Sequence, residues 1–114
     1  MKLRVKRKIG KGGVTRISFE RGRPVLSTDV VRISKERREV ALWEIEGGKM
    51  LRIEFDPRGG CPVTGFDLSD PSNVLSGAAS DGAEIGREYS YSLVVQKLRA
   101  KEPVVIDPRM IIDL

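Results

Sequence analysis

The chain has 114 residues, no histidine, a single cysteine and a formal net charge of +5. That length supports one domain, burying roughly two-thirds of its unfolded surface without staples. The lone Cys61 excludes an intramolecular disulfide and multi-cysteine metal sites, and the missing histidine excludes Ser-His-Asp catalysis, Cys-His catalysis and imidazole metal ligands.

Charge is unevenly placed. Residues 1–24 hold nine Lys/Arg against Glu20, a net of +8, whereas residues 25–114 hold twelve against fifteen acids, a net of −3. The asymmetry points to an acidic partner: nucleic acid, a membrane surface or the acidic patch of another protein. The opening MKLRVKRKIG has no apolar run behind its charges, so no secretory signal is read. No stretch nears the ~20 apolar residues of a membrane span. A soluble, cytoplasmic protein is expected.

In chain order, residues 2–9 alternate Lys2, Arg4, Lys6 and Lys8 with Leu3, Val5, Arg7 and Ile9, predicting a strand with one basic face. Gly10, Gly12 and Gly13 break it, and Val14 to Phe19 resumes, with Ile17 and Phe19 inward; a first hairpin is expected. The basic face and its neighbours, Lys2, Arg4, Lys6, Lys8, Lys11 and Arg16, form a candidate polyanion site, weighed against a solvated edge strand kept from pairing by lysines. Gly10-Lys11-Gly12-Gly13 lacks the spacing and following helix of a nucleotide-binding P-loop. Arg21 to Pro24 reads as a turn, Val25-Leu26 as a short strand start, Asp29 to Ser34 as a strand, and Lys35 to Arg38 as a charged turn.

Residues 38–55 read as a β-hairpin turning at Gly47-Gly48. A two-residue loop would put Trp43 and Leu51 on opposite faces, so a three-residue loop with left-handed Gly48 is expected, bringing Trp43, Ile45, Leu51, Ile53 and Phe55 to one buried face. Residues 56–86 form a long irregular loop, read chiefly as a crossover, with one helical turn expected at Asp70-Pro71-Ser72-Asn73. Its carboxylates Asp67, Asp70, Asp81 and Glu84 lack EF-hand spacing and are read as solvated. Cys61 is read as a small loop or core residue rather than a reactive thiol. Tyr89, Tyr91, Leu93 and Val95 alternate in a strong strand, the tyrosines being read as packing rather than a base-stacking platform. Val104 to Ile106 and Met110 to Ile112 close the chain, and Pro108 demands a bulge or an edge there.

About seven or eight strands with no helix predict one all-β domain over residues 1–114, an antiparallel β-sandwich or small barrel. The succession Val-Val-Arg-Ile-Ser, Val-Ala-Leu-Trp-Glu-Ile, Leu-Arg-Ile-Glu-Phe, a proline-containing loop, Tyr-Ser-Tyr-Ser-Leu-Val-Val and Val-Ile-Asp-Pro-Arg-Met-Ile-Ile, over about residues 29–112, resembles cupredoxin-like domains of the uncharacterised bacterial, copper-free type. The resemblance implies a Greek-key sandwich. The family's copper ligands do not carry over: there is no histidine, Cys61 lies well before the Tyr89 strand, and Met50 and Met110 lack partner ligands. No cofactor, metal site or catalytic residue is expected. The expected function is a non-enzymatic interaction or structural module binding a protein partner, the alternative being nucleic-acid binding through the basic N-terminal strand.

Overall fold

Alternating apolar positions separated by Gly, Pro and Asp turns form ten strands in residues 8–114, which are those the computed structural model describes, Lys11 by its backbone alone. They are β1 (Lys8–Glu20), β2 (Arg23–Leu26), β3 (Val30–Ser34), β4 (Glu39–Ile45), β5 (Gly48–Phe55), β6 (Phe66–Asp67), β7 (Asn73–Ser76), β8 (Glu88–Lys97), β9 (Val104–Ile106) and β10 (Arg109–Asp113). No helix occurs among the described residues. One sheet runs β2-β1-β4-β7-β6; the other runs β3-β10-β8-β5, with β9 also on β8. Both sheets contribute to one buried core.

The all-β expectation holds, but the sheets are mixed rather than antiparallel. β1 runs parallel to β4, and β10 runs parallel to β3. Alternation reports which side chains are buried and carries no information on the direction of a neighbouring strand.

The expected hairpin at Gly47-Gly48 does not form. β4 is flanked on both edges by β1 and β7, so β5 has no edge of β4 to pair with and crosses to the other sheet, against β8. Gly47, not Gly48, takes the left-handed conformation, at φ 74°. Trp43, Ile45 and Phe55 still meet in the core, but across the two sheets. Leu51 does not join them and stays 43% exposed, with Met50 buried in its place. The cause is a bulge: Met50 pairs with Val95 and Arg52 with Val94, leaving Leu51 unopposed.

Among the described residues the first hairpin is also absent. β1 runs through the glycines without turning back. Ile9 pairs with Val40 and Val14 with Leu42, so residues 10 to 13 stand opposite Ala41 alone. Glycine makes this distortion possible, since Gly12 sits at φ 83° and a Cβ on Gly10 would lie 2.5 Å from Glu39 Oε1.

Residues 56–86 are less irregular than expected, for they supply β6 and β7, two strands too short for periodicity to register. Asp70 to Asn73 is a turn rather than a helix start. Ser72 N–H donates to Asp70 Oδ1 (3.0 Å) and Asn73 N–H to Asp70 O (3.0 Å). The turn then staples the sheets together: Ile45 N–H donates to Ser72 O and Met50 N–H to Pro71 O, both at 2.8 Å. Pro108 interrupts the final strand as required, between β9 and β10, and its carbonyl accepts Tyr91 N–H at 3.1 Å.

Four aromatic rings, two from each sheet, close a cycle in the core. Trp43 lies 5.8 Å edge-on to Tyr91 and 6.1 Å from Phe66, while Phe55 lies 5.0 Å from Tyr91 and 5.9 Å from Phe66. Trp43 Nε1–H donates to Tyr91 Oη at 3.1 Å, a buried bond between the sheets. Burial pushes the Tyr91 phenol well above its ordinary value of 10.0, the bond from Trp43 opposing the shift in part.

Tyr91→Phe leaves the indole N–H without its acceptor and is expected to destabilise the protein by about 1–3 kcal/mol in urea unfolding. Because the folded phenol titrates above the unfolded one, the Tyr91 contribution is complete below pH 10.0 and is lost as pH rises beyond it. Stability of Tyr91→Phe therefore falls less steeply than wild type above that pH. Gly48→Ala places a methyl 2.5 Å from Gln96 O and 2.9 Å from the Phe19 ring. Since Gln96 O is backbone, a cost of about 1–3 kcal/mol is expected in the same assay.

Candidate functional site

Of the six candidate polyanion-binding residues, Lys2, Arg4 and Lys6 lie outside the described residues, as does most of the strand expected at 2–9. Lys8 opens β1 and is exposed; Lys11 lies in the inserted segment 10–13. Arg16 is 75% exposed and pairs with Glu44 at 3.1 Å. Sequence parity puts Lys8 and Arg16 on one face, but the four-against-one insertion reverses it. Lys8 is in register with Glu39, on the side of Ala41 and Trp43, whereas Arg16 is in register with Glu44 on the opposite side. The structure does not bring these two cations together.

Most of the other residues singled out in the sequence have structural partners. Tyr89 and Tyr91 are buried; Tyr89 Oη accepts Glu84 N–H (2.9 Å) and its ring underlies the Arg87 guanidinium. Asp67 accepts from Ser69, Asp70 caps its turn, and Glu84 pairs with Arg87 at 3.1 Å. No group of three or more potential ligands able to hold a metal occurs among the described residues. Cys61 is exposed, and its thiol donates to Val63 O at 3.3 Å. The Asp56 carboxyl is held below the usual carboxylate range by hydrogen bonds from the Arg58 side chain and backbone.

The outer faces of the two sheets differ. On the second sheet, Arg32 pairs with Asp113 (2.9 Å), Arg52 with Glu54 (2.9 Å), and Arg109 with Glu88 and Asp29. Ser92 Oγ donates to Asp107 at 2.7 Å. Its aliphatic residues include Val30 and Ile111, in register with Arg109 and Arg32, and the cross-strand pair Val94 and Val105 at one end. On the first sheet, Val14 is in register with Leu42, and Leu42 with Leu75. These three half-buried side chains make a row across three adjacent strands on the face away from Trp43. Ile9 and Val40 form a second aliphatic pair beside it. The row beyond is polar, Arg16, Glu44 and Asn73. A cleft of about 280 Å³ lies next to it, lined by Arg16, Ser18, Val25, Leu26, Glu44 and Glu46 among others.

A larger cleft of about 530 Å³ opens at the end of the molecule where β4 crosses to β5. Its walls come from the Gly47-Gly48 crossing, the Pro71-Ser72 turn and the segment following β8. No sequence signal marks it, because its residues are scattered from 45 to 100 and only the inter-sheet crossing brings them together. By contrast, a cleft of about 430 Å³ is lined by Glu54, Asp56 and Asp107 with Ser90 and Ser92.

Compared with known proteins, the chain matches no family model and no curated protein significantly. No helix among the described residues is long and apolar enough to cross a membrane.

The Arg16–Glu44 pair sits in solvent, at 75% and 40% exposure. A double-mutant cycle of Arg16→Ala and Glu44→Ala is expected to give a coupling below about 1 kcal/mol.

Proposed function

We propose that this protein is a non-enzymatic interaction module that docks a protein partner on the outer face of its first sheet. The observation that carries the reading is the row Val14, Leu42 and Leu75, set across β1, β4 and β7. An outward face in contact only with water alternates polar side chains at such positions, as the ion-paired face of the second sheet largely does. The partner's chemistry follows from the charge beside the row. Residues 1–24 carry a net +8 and include Arg16, which borders the row on this face, so an apolar ridge bordered by acidic side chains is its complement. Such a partner is held in the cytoplasm, consistent with the composition.

The fold reading extends in the same spirit. A copper-free, cupredoxin-like Greek-key sandwich is supported by the tryptophan in a core shared by two facing sheets, and by a long connection from β5 that visits the first sheet before returning at β8. An experimental structure whose strand connections trace no Greek key would remove it.

Leu75→Lys puts a charge in the row without touching the core. Captured from native lysate, the wild-type protein is expected to retain a discrete protein after nuclease treatment. Leu75→Lys is expected to lose that protein while keeping its circular dichroism and its unfolding midpoint. Capture unaffected by Leu75→Lys overturns this face as the docking surface. Material lost on nuclease digestion overturns the protein partner and turns the reading to nucleic acid at the basic N-terminal residues.

A further inference from the structure

The 530 Å³ cleft at the β4–β5 crossing is lined by Lys49, Lys97 and Arg99, and by no carboxylate. They arrive from two strands and a turn. In the β5–β8 register Lys97 faces Gly48 and Lys49 faces Gln96, so the two lysines stand on opposite faces of the sheet, with Lys97 on the side of Met50 and Val95. Arg99 is placed by a tight turn in which Ala100 N–H donates to Lys97 O (3.0 Å), with Arg99 itself at φ 67°, a conformation that favours glycine. The turn is anchored on both sides: Leu98 N–H donates to Gly47 O (2.9 Å), and Gln96 Nε2 donates to Ala100 O (2.9 Å).

None of the three cations has an ion-pair partner among the described residues, whereas Arg16, Arg32, Arg52, Arg58, Arg87 and Arg109 each have one. The nearby Asp70 is turned away to Ser72 N–H and Asn73 Nδ2. Beside the cations the lining is apolar, from Ile45, Pro71 and Leu98, the last 70% exposed. The volume is within the range of small-ligand sites, about 300–1,000 Å³.

We infer that this cleft binds an organic phosphate, its phosphoryl oxygens held by Lys97 and Arg99 and its apolar part resting on Pro71 and Leu98. A guanidinium and an ammonium group suit a ligand with more than one anionic oxygen. The site is distinct from the outer face of the first sheet, and the two stand or fall separately.

Calorimetric titration at low ionic strength with ADP and with inorganic pyrophosphate tests it. Saturable binding of both is expected, ADP the tighter. Lys97→Ala and Arg99→Ala each weaken both ligands about tenfold, and Leu98→Ser weakens ADP alone. Arg37→Ala with Arg38→Ala, in the turn at the opposite end of β4, serves as the control and leaves both affinities unchanged. Unchanged unfolding midpoints confirm that each variant is folded. Absence of saturable binding overturns the inference. So does an equal loss in the Arg37/Arg38 control, which marks diffuse charge attraction, or equal affinity for ADP and pyrophosphate, which removes the apolar wall.

Discussion

The relative position of the two sheets depends on a polar contact within the aromatic core, the bond from Trp43 Nε1 to Tyr91 Oη, to which the Ser34–Glu39 bond and the Pro71-Ser72 turn add at its margins. Dispersion between aliphatic side chains tolerates sliding, because one methyl group resembles another. A buried N–H with one acceptor within reach does not. Trp43 therefore sets where β4 stands above β8, and the rings of Phe55 and Phe66 close around that point. Everything registered on these two strands inherits the constraint: β1 and β7 through β4, and β5, β9 and β10 through β8. Phe66 gives the segment between β5 and β8 a structural purpose, since it carries an aromatic ring into the core as well as crossing the molecule.

How much of this the sequence disclosed depends on the range of the interaction. Burial is a local property, and it was legible: Tyr89, Tyr91, Leu93 and Val95 alternate in sequence and are all buried, and Trp43 points inward as expected. Pairing is not local. The flanks of Gly47-Gly48 look the same whether the chain folds back on itself or crosses to a facing sheet, and what decides between them is that β1 and β7 occupy both edges of β4. Leu51 shows the finer limit, because an unopposed residue shifts the phase of everything before it while the sequence continues to alternate. The candidate site met the same obstacle twice. Lys8 and Arg16 share parity in the sequence and lose it at the glycine insertion. Gly48 and Lys97, nearly fifty positions apart in the numbering, become neighbours beside one cleft through the β5–β8 register.

The surface divides by how its charges are satisfied. The outer face of the second sheet is largely self-neutralised, with arginines matched to carboxylates on the same or adjacent strands. Exposed pairs of this sort contribute little to stability, but they leave little unpaired charge to attract a partner. What is left unmatched among the described residues is an aliphatic row on the other face, and cations without counter-ions at one end. Both lie outside the core, so either can change without disturbing the aromatic cycle.

The placement of β10 has a kinetic consequence. This last strand lies between β3 and β8, and its parallel register with β3 joins Arg109 to Val30 and Asp113 to Ser34. β3 has no other ladder partner in its sheet, so it must wait as an unpaired edge until residues near 113 have been synthesised. Closing a contact across almost the whole chain is slow compared with forming a hairpin. During synthesis the Val30 to Ser34 segment is thus the stretch most open to wrong pairing. Its central residue is Arg32, a charge that discourages such association until Asp113 arrives to pair with it.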